Sequence, residues 1–329
     1  MPNRSLFKNT HSLSILVIFF SALLASCSDS EAPSTESGTS KPSILKPIHQ
    51  TPLNRQKSPE TAALISIIDE HFSQLTNESK KLNETLIAFT KKPSQEGLQK
   101  ATDALDKVHS IFVSGYYLDT CCHIYSSNLT NNENDLTKLS IKTKLDQYPL
   151  LPGYLDAVEG YPYSGLIYSD ISITRESMEQ EFQLGDPAYV SLGFHALELI
   201  LKGSNRNRKV SDFSHLKSTK DTSSAPAELR RTLYAILLAS EIENNLSILE
   251  LFWESDSKNH LAQKPKPQAN KFFNALYITA EKELNNLQIQ EAALEQNTKI
   301  DEHSNIEIIT LKKGLLERLI AIKESRIKI

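Results

Sequence analysis

The chain has 329 residues, 39% hydrophobic and 23% charged, with 36 basic against 40 acidic side chains. That length holds one large domain or two modest ones. The acidic balance excludes the basic surface that nucleic acid or a polybasic membrane patch requires. Only 10 glycines among many Leu, Ile, Ala, Glu and Lys favour helices over turn-rich sheet.

Residues 1 to 26 read as a signal peptide, with Arg4 and Lys8 ahead of an apolar run from Leu13 to Leu24. That run is too short to span a bilayer comfortably. It ends in Leu24-Ala25-Ser26-Cys27, which resembles a bacterial lipobox. The resemblance implies lipidation at Cys27 and a membrane anchor through the lipid. Ser28 follows Cys27, which implies the outer membrane, facing the periplasm. A plain secretory signal is the alternative. Without its leader the chain has 34 basic against 40 acidic residues. Residues 27 to 58, including "SDSEAPSTESGTSKPS", are polar and Pro-rich without helical or strand period, and read as a flexible tether.

Helices are expected from Ser58-Pro59, an N-cap followed by Pro at the first helical position. Leu64, Ile67, Ile68, Phe72, Leu75, Leu82, Leu86 and Phe89 mark one apolar face up to Lys92-Pro93. Ser94 caps a second helix with Leu98, Ala101, Leu105, Val108, Ile111, Phe112 and Tyr116 as its stripe. "CCHIY" comes next, read as two buried thiols, with a metal held by Cys121, Cys122 and His123 as the alternative. Neighbouring cysteines are too constrained for an ordinary disulfide. Beyond the Asn-rich "NLTNNEND", a short helix covers about 134 to 145.

From residue 146 to about 172 the period vanishes, in a stretch rich in Tyr, Pro and Gly. Such a segment reads as an ordered, functional loop. Its tyrosines either pack it onto the helices or form a contact surface. Helices resume at about 173 to 183 and 187 to 202. A polar connection covers residues 204 to 225. Long periodic stretches come after it at about 226 to 256, 268 to 296 and 304 to 325. No stretch shows strand alternation, a glycine-rich phosphate loop or a GxSxG element.

The segment "LGFHALELILKG" is the most informative. Asp186-Pro187 reads as its N-cap and first turn, and Gly203 as its C-cap. On a helix, Ser191, His195, Glu198 and Lys202 fall within an arc of about 60°. The remaining circumference is apolar, and Gly193 lies nearly opposite, where a neighbouring helix can approach. His195 and Glu198 therefore need partners: one shared metal ion, a hydrogen-bonded pair, or a thin solvated stripe. A lone HxxE is a weak motif, and it lacks the second His of HExxH.

Gly193-Phe194-His195-Ala196-Leu197-Glu198 matches the GxHxxE motif of the imelysin-like family, named after an insulin-cleaving membrane protease. "DQYPLLPGYLDAVEGYPYSGLIYSDISIT", "VSDF", Arg230-Arg231-Thr232-Leu233-Tyr234 and Trp253 also resemble family segments. Asp301-Glu302-His303-Ser304 resembles a Glu-His-Ser element, although Asn305-Ile306-Glu307 departs from the Phe-Ser that continues it in the family. The resemblance spans roughly residues 60 to 320. It implies an all-α fold of two packed helical bundles, residues 59 to 203 and 226 to 329, with the motif helix near their junction. It also implies a bacterial envelope protein, since members include a reported peptidase, iron-regulated lipoproteins and periplasmic parts of iron-uptake systems.

The resemblance favours a divalent or ferric ion at His195 and Glu198, iron ahead of zinc. Asp146, Asp156, Glu159, Glu302 and His303 are further candidate ligands. Three functions are expected in turn. One is metal binding for iron acquisition, with iron-uptake components as partners. Another is a metallopeptidase taking a peptide, in which Glu198 is the base only if it is not a ligand. The last is a non-enzymatic binding module with a structural His-Glu pair.

Overall fold

The computed structural model describes residues 58–125, 133–215, 222–264, 266–295 and 302–327. The expected leader, the lipidation site Cys27 and the tether up to residue 57 lie outside them. Among the described residues the fold is all-α, and the closest approach to a strand is one isolated bridge between Val158 and Tyr161. No described helix is long and apolar enough to cross a membrane.

Helix α1 is Pro59–Lys91, and Ser58 caps it by accepting from the Thr61 amide, 3.2 Å away. Helix α2 is Gln95–Ser114, with Ser94 accepting from the Gly97 amide at 3.0 Å. The caps satisfy amides that the first helical turn leaves without partners. The apolar faces expected for both helices are buried against each other. Gly115 ends α2, and the short helix α3, Tyr116–Cys122, continues from it. Then come α4, Glu133–Asp146, and α5, the single turn Pro152–Leu155. They are followed by α6, Arg175–Glu181, and α7, Gly193–Lys202.

The second half begins with α8, Ala227–Phe252. A π-helical turn, Trp253–Ser257, leads into α9, Lys258–Ala262. Helices α10, Lys266–Glu295, and α11, Glu302–Ile327, complete the chain. Helix α8 packs on α1, α4 and α7, and α11 returns to pack on α1 and α2 as well as α10. The two helical halves thus share one apolar core. Trp253 is buried in it, stacked on Phe72, and its indole N–H donates to Asp69 at 2.7 Å.

An imidazole is buried at this core. His71 on α1 is 6% exposed, and its Nε2 shares a hydrogen bond with the Tyr125 hydroxyl. Burial pulls its pKa down to about 4, so it is neutral at pH 7.

The expectation of a helix from Asp186-Pro187 is corrected by the structure: α7 starts at Gly193. The Asp186 carboxylate closes a tight turn instead, accepting from the Ala188 amide at 2.8 Å. Ser191 is accordingly not part of the polar stripe of α7. It is fully buried, donates to the Met178 carbonyl at 2.6 Å, and its own carbonyl accepts from Tyr234. The bond from Tyr234 satisfies a backbone carbonyl in a segment that local pattern alone reads as helix. Gly203 does end α7, its N–H donating to the Leu199 carbonyl.

The loop from 147 to 172 is ordered and tied down from within. Leu155, Leu166 and Ile167 are buried. Arg230, 1% exposed, donates to the carbonyls of Leu166, Ile167 and Ile171. Tyr154 stacks on Tyr189, whereas Tyr148, Tyr161 and Tyr163 are exposed. The tyrosines therefore divide between packing and surface.

Candidate metal centre

Three helices bring the polar groups together. His109 lies on the face of α2 that also carries Leu105 and Phe112, so it points inward with the core. Asp146 is the last residue of α4. His195 is the third residue of α7.

Gly193 sets the approach of α7 to α4. Its φ is +87°, a conformation that L side chains rarely adopt. A Cβ there would stand 2.2 Å from the Lys144 carbonyl oxygen and 2.4 Å from that of Leu145. Only the absence of a side chain lets the start of α7 lie against the end of α4. Asp146 follows Leu145 directly, so this one contact brings His195 to it.

Nε2 of His109 lies 2.8 Å from Oδ1 of Asp146, and Nε2 of His195 lies 3.1 Å from the same oxygen. The two imidazoles meet edge to face, their centres 5.1 Å apart. Phe194 stacks on His109 at 4.7 Å and fixes its ring plane. The second Asp146 oxygen, Oδ2, accepts from the Tyr116 hydroxyl at the start of α3. On the other side of His195, Nδ1 is 3.8 Å from Oε2 of Glu198, an ion-pair contact too long for a hydrogen bond. Glu198 also pairs with Lys202 at 3.1 Å and Arg206 at 3.4 Å, and Lys202 with Asp106 at 2.7 Å.

Burial pushes the Asp146 carboxyl up, but its contacts with His109, His195 and Tyr116 outweigh burial and hold it well below the usual carboxylate range. Burial lowers His195, yet Asp146 and Glu198 raise it on balance to about 9. The contact with His195, then Lys202, against opposing burial, brings Glu198 down to about 2. At neutral pH His195 is thus an imidazolium between two carboxylates. A metal ion can replace that proton, since both favour the same negative oxygens.

The ligand atoms of His109, Asp146 and His195 all lie within 4.8 Å of one another, and this is the group of its kind among the described residues. Two imidazoles and one carboxylate are the donor set of non-haem Fe(II) sites, and they also suit zinc with an open position. Tyr116 and Glu198 stand where outer partners orient metal ligands, on the free carboxylate oxygen and the free ring nitrogen.

Of the residues expected from sequence, the structure unites His195 and Asp146. Glu198 contacts His195 on the nitrogen facing away from Asp146. Asp156 is elsewhere: it is 1% exposed and accepts from Arg231 through both oxygens, with Arg208 on Oδ2 at 2.7 Å. Its charge is committed to two guanidinium groups. Glu159 is exposed beside the bridge between Val158 and Tyr161. The side chains of Glu302 and His303 lie outside the described ones. Cys121 and Cys122 are free thiols, and they join no group of three ligands among the described residues. His109 and Tyr116 are not singled out by sequence. The available signal is a His at i+4 from Leu105 and i−3 from Phe112, on a stripe otherwise apolar.

An all-helical protein with two histidines and an aspartate meeting at a helix junction is the class that fold and site define. The chain belongs to the imelysin family: the family model for imelysin, peptidase M75, matches residues 68–306. The resemblance carried by the GxHxxE segment is thereby borne out. No curated protein matches the chain.

Proposed function

We propose that this imelysin-family protein binds one first-row transition-metal ion, iron favoured, in the cell envelope as part of metal acquisition. The observation that carries the reading is the convergence of His109, Asp146 and His195 from α2, α4 and α7. The lipobox-like segment at Cys27 and the tether support an envelope address. His109 and His195 would supply nitrogen and Asp146 one oxygen, with Tyr116 and Glu198 orienting them. The ion's chemistry would be that of a cation with positions left open to water or an incoming ligand.

The test is metal analysis of purified protein together with calorimetric titration with Fe(II) and Zn(II). Wild type is expected to take up one ion, and His109→Ala and His195→Ala to lose that uptake while remaining folded. Equal binding in all three proteins, or none in any, would overturn the reading and leave the cluster a hydrogen-bonded support.

A metallopeptidase is the second reading, because three protein ligands leave a position for an activated water. Glu198 is engaged by Lys202 and Arg206, which does not favour it as the general base. Metal-dependent cleavage of an unfolded protein, abolished in His195→Ala, would establish this activity. Inactivity unchanged by added metal would remove it.

A further inference from the structure

Helix α3 ends on two consecutive cysteines. Neighbouring side chains on a helix point about 100° apart, so adjacent cysteines do not ordinarily meet. Here both turn toward one another, and the sulfurs stand 3.0 Å apart. The Cys121 thiol also contacts the Leu118 carbonyl, 3.4 Å away. Both residues are half-buried at the edge of the core.

The backbone leaves the helix at the same place. His123 has φ +54°, and its N–H donates to the Asp119 carbonyl at 2.8 Å as the closing bond. No third His, Cys, Asp or Glu donor joins the two sulfurs among the described residues. The hydrogen bond with Cys121, and then burial, hold the Cys122 thiol well above its ordinary pKa. Cys122 is thereby held as a thiol, which makes it a poor metal ligand, since a metal needs the thiolate.

We propose that Cys121 and Cys122 are a reversible redox pair that closes to a vicinal disulfide on meeting a disulfide oxidant. One cysteine sulfur attacks the oxidant's disulfide and releases a thiol. The second cysteine sulfur then attacks the first and releases the oxidant's other thiol. One S–S bond forms and one breaks. Two electrons pass to the oxidant, and the two cysteine protons end on its thiols. Adjacent Cα atoms are about 3.8 Å apart, below the usual disulfide range of about 4.4–6.8 Å. The bond is therefore strained and easily reduced, which makes it a switch and not a staple. Its strain falls on the last turn of α3, where the helix already ends.

The test incubates the intact chain in glutathione buffers of graded redox poise, followed by thiol counting and peptide mass mapping. The expected result is joint loss of both thiols, with the peptide carrying 121 and 122 lighter by two hydrogens and restored by dithiothreitol. Cys121→Ser and Cys122→Ser are each expected to accumulate a mixed disulfide with glutathione at the remaining thiol. In the oxidised wild type, the amide of His123 is expected to exchange with solvent faster. Thiols persisting at both 121 and 122 in oxidising buffer would overturn the proposal, whether or not the single variants react. So would a separate glutathione on each cysteine of the wild type.

Discussion

Replacing Gly193 by Ala tests the contact that builds the candidate centre. Two costs add. The backbone conformation, φ +87°, strains an L residue by about 1–2 kcal/mol. The new methyl would meet two carbonyl oxygens at 2.2 and 2.4 Å, and neither belongs to a side chain that can swing away. Helices α4 and α7 must part by about 1 Å, and overpacking of this kind costs about 1–3 kcal/mol. The sum is about 2–5 kcal/mol, a large share of the stability of a typical domain. Gly160→Ala separates the two contributions. Gly160 has φ +82°, and a Cβ there meets nothing within 4 Å, so it carries the strain without the clash. Urea denaturation of both variants is the assay, with Gly193→Ala expected to lose about 1–3 kcal/mol more than Gly160→Ala. Under the metal reading, Gly193→Ala also weakens metal affinity at least roughly tenfold, because Asp146 and His195 move apart together. Equal stability loss in the two variants would refute the reasoning.

The core supplies a pH prediction. His71 is held to about 4 in the folded protein, below the ordinary value of 6.5, so the unfolded chain binds the extra proton between these values. Its neutral burial contributes stability above pH 6.5 that is lost as pH falls toward 4, by about 3 kcal/mol. Urea midpoints of wild type and His71→Phe at pH 7 and pH 4 check this. The variant should show the shallower fall, and parallel curves would contradict it. Asp156→Asn removes the charge that faces Arg208 and Arg231 and should cost about 3–5 kcal/mol, measured by thermal or urea unfolding. A loss under 1 kcal/mol would show that the arginines find other partners, at about the level of an exposed pair. Under the metal reading, Tyr116→Phe frees Oδ2 of Asp146 and should lower metal affinity about 10–100-fold with little change in folding. Unchanged calorimetric affinity would remove Tyr116 from the support of the centre.

The legibility of the chain follows the range of the forces involved. Helices α1, α2, α8, α10 and α11 are readable because their periodic faces, and in α1 and α2 their serine caps, are local signals. The Asp186-Pro187 start misleads because an Asp before Pro marks a turn as readily as a helix cap. The choice is made by distant groups: Tyr234 donates to the Ser191 carbonyl, and the Met178 carbonyl accepts from the Ser191 hydroxyl. His195 stands out through its place in GxHxxE, and Asp146 appears as one of several acids near it. Asp156 looks equivalent to Asp146 in sequence, yet one faces two arginines and the other two histidines.

By itself the sequence determined an all-α chain of the imelysin family, where its long helices lie, and that His195 sits on a nearly wholly apolar helix. Tertiary structure alone decided which groups face His195. His109 and Tyr116 lie 86 and 79 positions earlier in the chain, on faces whose pattern is that of ordinary core. Their role arises only where α2, α3, α4 and α7 meet. That meeting depends on a backbone contact at Gly193 which no side-chain pattern encodes.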